Sequence, residues 1–334
     1  MRIVHAVRSD GFAGVERHVA RLARAQAHHG DDVTVVGGAA DDMRRELDGV
    51  RHLEARTVPE VARRLAGHGR GADVVHVHMT AAEIAAGLVP WARHRPAVVA
   101  TRHFAAPRGS GRTGPFVARL ARHAVQAQIA VSRYVADHVD GPTTVVYPGV
   151  DVAPSTAEQE RVVLVLQRLE PEKATDVALR AVASSGMLHH GWRLQVAGTG
   201  SQAAELAALA DRLGLRAELL GHRADVDELL GSAGILLAPC PVEGLGLSVL
   251  EAMAHALPVV AADAGGHTEL LAGLDDRALF PPGDAATAGD RLRALAADDA
   301  GRAAYGRAAA ARQRARYTLA AQVAGTADVY EELL

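Results

Sequence analysis

Short, continuous apolar runs recur from one end of the chain to the other, each followed by a segment with helical spacing, and this rhythm limits the fold more than any other feature. In the first half the runs are "RIVHAV", "DVTVVGG", "ADVVHVH", "PAVVATR", "AQIAVS" and "TTVVYPG", with helices expected over 15–29, 58–68, 81–93, 115–124 and 133–138. The second half repeats it with "RVVLVLQRL", "WRLQVAG", "AELLGH", "GILLAPC", "PVVAAD" and "ALFPPGD". Runs that are apolar at nearly every position are buried on both faces. Alternating with helices, they imply parallel sheets covered on each side. The rhythm breaks at "YPGVDVAPSTAEQE", residues 147–160, where proline, glycine and polar residues interrupt it, and then restarts. An α/β protein of two Rossmann-like domains, 1–152 and 153–318, is therefore expected rather than one barrel. Three helical stretches follow Asp284, and the last, 319–334, is expected to cross back to the first domain.

A length of 334 residues with 49% hydrophobic content suits two domains of roughly 100–200 residues each. A net charge of -3 without a dense basic block excludes a nucleic-acid stripe. Cys240 is the only cysteine, which excludes an internal disulfide and fits a reducing compartment. The apolar run at the start is too short for a signal peptide, and no segment has the roughly 18 uncharged apolar residues of a membrane span. A cytoplasmic location is expected. The stretch "AAEIAAGLVPWARHR", with Trp91 among basic neighbours, leaves weak membrane association open. Of the 36 Lys and Arg residues only Lys173 is lysine, and asparagine is absent. A drift toward arginine explains the bias and makes the surviving lysine conspicuous, because arginine does not replace a compact ammonium aimed at one oxygen.

In open parallel sheets ligands sit at the carboxyl ends of strands. The first such loop, "RSDGFAGVERHVARLA", brings Gly11 and Gly14 to a helix start, which is either an anion site or a plain turn. It lacks the dinucleotide glycine fingerprint, and the second strand ends in Gly37-Gly38 rather than in a ribose-binding acid, so a dehydrogenase loses its main supports. In "QRLEPEKATDVAL", Arg168 ends a strand and Lys173 is expected to open the next helix. Together they are either a diphosphate clamp or a solvated edge. In "EGLGLSVLE", Glu243 and Glu251 flank Gly244 and Gly246. Two carboxylates in one cleft can move protons or accept from vicinal hydroxyls, while a lone acid at a helix start can also be there for the dipole.

The stretch "EGLGLSVLEAMAHALPVVAADAGGHTEL" resembles the E-x7-E region of glycosyltransferase family 4, the retaining GT-B glycosyl transferases group 1. "LQRLEPEKATDVALRA" is similar to that family's Arg/Lys segment, "GFAGVERHVARLA" to its glycine loop, and "VSRYVADHV" with "VYPGVD" to its interdomain bridge. The resemblance runs in order along nearly the whole chain. It implies a GT-B fold, with the two parallel sheets facing a central cleft, an acceptor domain first and a nucleotide-sugar domain second. It implies a metal-independent enzyme, with no cofactor, that moves a hexosyl or N-acetylhexosaminyl group, UDP-linked by default, to an acceptor hydroxyl. By the same resemblance Arg168 and Lys173 bind the donor diphosphate with a backbone contact from Gly14. Glu251 holds the ribose. Glu243 and the loop Gly244, Leu245, Gly246 and Leu247 hold the sugar, and His103 lies near the reaction centre. His103, Glu243, Arg168 and Lys173 are the expected catalytic set. The glutamates are then holders of hydroxyls, and the cations stabilise charge growing on the leaving diphosphate. Ala174, where the family has glycine, and Leu245, where it commonly has Phe or Pro, are departures.

Outside that set, His76 and His78 share one side of a strand end. No third metal ligand is evident in the sequence, so they are expected to line an acceptor cleft, with His78 a weak acceptor contact. Arg108 and Arg112, in the Gly-, Pro- and Arg-rich stretch "AAPRGSGRTGPF", are expected in a mobile loop as further acceptor contacts. Gly198-Thr199-Gly200 is expected near the nucleotide, and Cys240 is expected to serve packing. A nucleotide-sugar epimerase of the same architecture and a non-catalytic nucleotide-sugar binder are the alternatives. The acceptor stays open among small metabolites, natural-product scaffolds, glycans and lipid head groups.

Overall fold

The apolar runs become two all-parallel sheets, one in each of two units: Met1–Gly149 with Leu319–Leu334, and Val150–Thr318. The computed structural model describes all residues except 10, 92–94, 109–113 and 152–158. Arg112 and half of the interdomain stretch 147–160 lie outside the described residues.

The first unit runs β1 (Arg2–Val7), α1 (Gly14–His28), β2 (Asp32–Gly37), α2 (Ala40–Leu47), β3 (Arg51–Leu53), α3 (Val58–His68), β4 (Val74–His78), α4 (Thr80–Gly87), β5 (Ala97–Arg102), α5 (Gly114–Ala124), β6 (Ala127–Ala130), α6 (Arg133–His138) and β7 (Thr144–Val145). Its sheet has the order β3-β2-β1-β4-β5-β6-β7. The helix expected over 81–93 stops at Gly87, three residues before Pro90, which cannot continue it. The sheet has two distinct faces because side chains alternate along each strand. Val4, Ala6, Val75, Val77, Val98 and Ala100 point to the face covered by α3 and α4. Ile3, Val74, Ala97 and Val99 point to the other, where Val329 and Tyr330 of the terminal helix pack on them. Register then aligns His5 with His76, and Val7 with His78. His78 in turn lies beside Thr101. By the same alternation these polar residues share the face beneath α1 and the terminal helix.

The second unit contains β8 (Val162–Leu166), α7 (Thr175–Ser185), β9 (Arg193–Ala197), α8 (Ala203–Arg212), β10 (Ala217–Gly221), α9 (Val226–Ser232), β11 (Ile235–Ala238), α10 (Leu247–Ala254), β12 (Val259–Ala262), α11 (Gly266–Leu271), β13 (Leu279–Phe280), α12 (Ala285–Ala297) and α13 (Asp299–Arg316). Its strand order is β10-β9-β8-β11-β12-β13. Both sheets reverse their strand order beside the first strand, between β1 and β4 and between β8 and β11. Such a switch point opens a crevice at the strand ends. The last helix, α14 (Leu319–Glu331), returns to the first unit and packs beside α1. No helix among the described residues is long and apolar enough to cross a membrane.

Candidate functional site

In the second unit, β8 and β11 end side by side at the switch point, and the loops after them carry the residues of interest. After β8 the chain does not go directly into a helix. Pro171–Lys173 form a short 3-10 turn, Ala174 follows in the left-handed region at φ 50°, and α7 begins only at Thr175. Lys173 therefore ends a turn rather than opening a helix. Gln167 pins this turn, its Nε2 donating to Lys173 O and to Thr175 Oγ1 at 2.9 Å each. The glycines of Gly198-Thr199-Gly200 have a packing reason. A Cβ on Gly198 would lie 1.9 Å from Gln167 O, and one on Gly200 would lie 2.3 Å from Leu169 O.

The turn delivers Lys173 to the loop after β11. Its Nζ donates to Glu243 Oε2 at 2.5 Å, with the two side chains 16% and 25% exposed. Burial alone would push the Lys173 ammonium down, but the Glu243 and Cys240 side chains outweigh it and hold the pKa above its ordinary value. Burial likewise pushes the Glu243 carboxyl up, and Lys173 and His267 more than reverse this. One Lys173 proton is thus committed to Glu243, while an ammonium has three to donate. Arg168 is half exposed and donates to Glu172 Oε1 at 2.7 Å. Cys240 is buried and donates to Glu172 O at 3.3 Å, its thiol pushed up by burial and by Glu243.

A second glycine pair, which sequence reasoning does not single out, fixes the Glu243 loop. Gly266 N donates to Glu243 O at 3.0 Å. A Cβ on Gly265 would lie 2.2 Å from Glu243 O, and one on Gly266 would lie 2.2 Å from Leu245 Cα. His267, equally unmarked in the sequence, packs on Gly246, where a Cβ would come within 2.8 Å of its ring. Gly246 itself has φ 98°, which needs glycine, and from it α10 starts at Leu247. Leu245 is buried, and Glu251 sits in α10 at 5% exposure. The "AGGH" pairing is present in the sequence as a second Gly-Gly after β12, a signal that only a backbone contact explains.

In the first unit the outcome differs more from expectation. Gly14 begins α1 and is exposed, and the Ala13 N–H before it is already taken by Glu16 Oε2 at 2.8 Å. His76 and His78 are fully buried and do not line an open cleft. They belong to a cluster with His5, His18 and His103. Two groups of three, His5/His76/His78 and His18/His78/His103, have potential ligand atoms within 4.8 Å of one another, so the third imidazole that spacing could not reveal is present. In this structure ring nitrogens of these groups are engaged in hydrogen bonds: His5 Nδ1 with His78 Nε2 at 3.1 Å, His78 Nδ1 with His103 Nε2 at 3.2 Å, and His76 with Tyr330 and Thr101 hydroxyls at 2.6 Å each. Burial holds His5 near 4, and burial with the Arg102 charge holds His103 near 3. Of the cluster, only His103 is partly exposed. Arg108 is also buried rather than mobile. It is salt-bridged to Glu83 and, at 2.9 Å, to Asp140, which removes it from an acceptor's reach.

Comparison with known families divides the chain in the same sense. The family described as Glycosyltransferase Family 4 matches residues 12–154, and Glycosyl transferases group 1 matches 151–312. The lipopolysaccharide core biosynthesis mannosyltransferase LpcC of Rhizobium leguminosarum is 30% identical over 232 residues, 63% of this chain and 65% of LpcC. A D-inositol 3-phosphate glycosyltransferase of Mycobacterium marinum is 36% identical over 144 residues, 36% of this chain and 30% of that protein. An exopolysaccharide phosphotransferase of Streptomyces coelicolor is 32% identical over 46% of this chain, which spans only 17% of it. Among solved structures, HepE of Anabaena in complex with UDP and glucose superposes with a TM-score of 0.85 at 20% identity, over 99% of this chain and 100% of HepE.

Proposed function

Because the chain belongs to the glycosyltransferases of family 4 and is built on their GT-B fold, we propose that it transfers a sugar from a nucleoside diphosphate to an acceptor hydroxyl with retention of configuration. The observation that carries the reading is the Lys173–Glu243 pair at the β8/β11 switch point, with Arg168 on the adjoining loop. Lys173 and Arg168 bind the diphosphate, and their charge stabilises the negative charge that grows on it as the glycosidic bond breaks. Glu243 serves twice, orienting the ammonium and accepting from sugar hydroxyls. Glu251 accepts from the ribose, and the backbone of Gly244 to Leu247 contacts the sugar. His103 meets the sugar or the acceptor. UDP is the favoured nucleotide, the one with which HepE was solved. A hexose or N-acetylhexosamine is the favoured sugar, and a saccharide, lipid-linked or small-molecule hydroxyl the acceptor.

A thermal-shift screen of nucleoside diphosphates and their sugars tests the donor, since a ligand at 100 times its Kd adds about 2.7 kcal/mol of apparent stability. With the responding donor and acceptor, the anomeric coupling in the product reports retention. Two side-chain cations take the place of a divalent ion in this scheme, so turnover is expected to persist in EDTA. Its loss in chelator would overturn the cationic mechanism. An epimerase would instead convert the donor with no acceptor present.

A further inference from the structure

The face of the first sheet beneath α1 and α14 carries a hydrogen-bonded chain whose direction can be worked out from one amide. Gln26 of α1 has its Oε1 2.7 Å from His5 Nε2 and its Nε2 3.4 Å from the Tyr330 hydroxyl. A carbonyl oxygen only accepts, so His5 carries its proton on Nε2. A neutral imidazole has one N–H, which leaves His5 Nδ1 as an acceptor. The 3.1 Å contact then requires His78 to donate from Nε2. His78 Nδ1 is left as an acceptor, and the 3.2 Å contact requires His103 to donate from its own Nε2. We propose that Gln26 sets the tautomer of His103 through His5 and His78, so that His103 is protonated on Nε2 and offers Nδ1 as a hydrogen-bond acceptor to a sugar or acceptor hydroxyl.

Gln26, His5 and His78 are positioning residues in this scheme, and only His103 touches substrate. The last clause of the proposal rests on the glycosyl-transfer reading, whereas the tautomer does not. Neutral rings are what the site favours. Burial pushes His5 and His78 down, and burial with Arg102 does the same to His103. A turned-over Gln26 amide would reverse every donor in the chain and leave His103 presenting Nδ1–H. That arrangement would need Tyr330 to donate O–H to Oε1 across 3.4 Å, far beyond the usual 2.7–2.8 Å of such a bond, whereas a weak N–H donor tolerates the distance better. Charge gained at His103 can be shared along the three rings but not drained, because the chain ends on an amide oxygen.

The test is a long-range 1H–15N correlation of the 15N-labelled, substrate-free full chain near pH 8, with the His103 ring identified by its disappearance in His103→Gln. A protonated Nε2 and an unprotonated Nδ1 are expected. An Nδ1–H tautomer, or rapid averaging of the two, in the wild-type protein would overturn the proposal. Gln26→Met removes the acceptor that starts the chain and should convert His103 to a mixture; an unchanged His103 would show that Gln26 does not set it. In turnover, the same variant should lower kcat about tenfold, the scale of one ordinary hydrogen bond, with KM for the donor unchanged, and a rise in KM as large as the fall in kcat would also count against it. If the wild-type protein transfers no sugar, the spectrum still decides the tautomer, and only the functional reading falls.

Discussion

At the scale of single residues, the lone lysine and the alanine after it carry the most information. Lys173 sits against a carboxylate that, in the proposed reading, also accepts from the sugar, so its loss is expected to have two effects. It would remove the proposed diphosphate contact, and it leaves Glu243 a partly buried charge without its lysine. Lys173→Ala and Arg168→Ala are each expected to cut transfer about a hundredfold or more, measured as kcat with circular dichroism to check the fold. Near-normal rates in both would refute the diphosphate assignment. Arg168 is paired at the surface and should show the smaller structural penalty. The backbone at Ala174 gives the glycine expected there from the family resemblance a physical reason: its φ of 50° and ψ of 41° lie where a Cβ crowds the carbonyl. Ala174→Gly should therefore raise stability by about 1 kcal/mol, read from urea unfolding. A destabilised variant would mean the alanine side chain contributes packing that offsets its strain.

At the scale of elements, the two loops that meet at the β8/β11 end depend on backbone approach as much as on charge. Gly265 combines φ 58° with a Cβ position 2.2 Å from Glu243 O. Gly265→Ala should displace the Glu243 loop at a cost of about 1–3 kcal/mol and weaken donor binding, which calorimetric titration with a nucleotide sugar would detect. Full affinity would show that the loop adapts. The same contrast separates what can be read in the sequence from what cannot. The long apolar runs mark their strands because burial on both faces keeps nearly every position apolar. Arg51–Leu53, β3, escapes because an edge strand of three residues with a polar start carries no such pattern. Arg168, Lys173, Glu243 and Glu251 are legible as charges at strand and helix ends. His5, His18 and His267 are not, because one histidine in a strand or a helix looks like any other until strand register or helix packing sets it beside its partners. His78 and Arg108 mislead for the converse reason: nothing local records that a polar side chain near a loop is buried.

At the scale of the whole molecule, the units differ in how many neutral histidines they bury, and acid should find the difference. Unfolded histidine titrates at 6.5, while His5 and His103 in the first unit are held near 4 and 3, and His18, His76 and His78 lie well below 6.5. The unfolded chain therefore binds more protons, so their contribution is complete above pH 6.5 and declines as pH falls toward 4. Each costs roughly 1.4 kcal/mol per pH unit in that window. The second unit has His267 lowered by burial but no comparable cluster among its described residues. Hydrogen exchange read by mass spectrometry should show β1 and β4 losing protection between pH 7 and pH 5 before β8 and β11. Equal loss in both would contradict the account. The path of the chain adds a consequence in time. Tyr330 covers the histidine-bearing face from α14, yet all of the second unit is encoded between that helix and β7. On the ribosome, at 5–20 residues per second, roughly 10–40 s separate Gly149 from Tyr330. Through that interval the nascent first unit holds an uncovered apolar and imidazole surface, so the half made first is the half finished last and the one that most needs a chaperone.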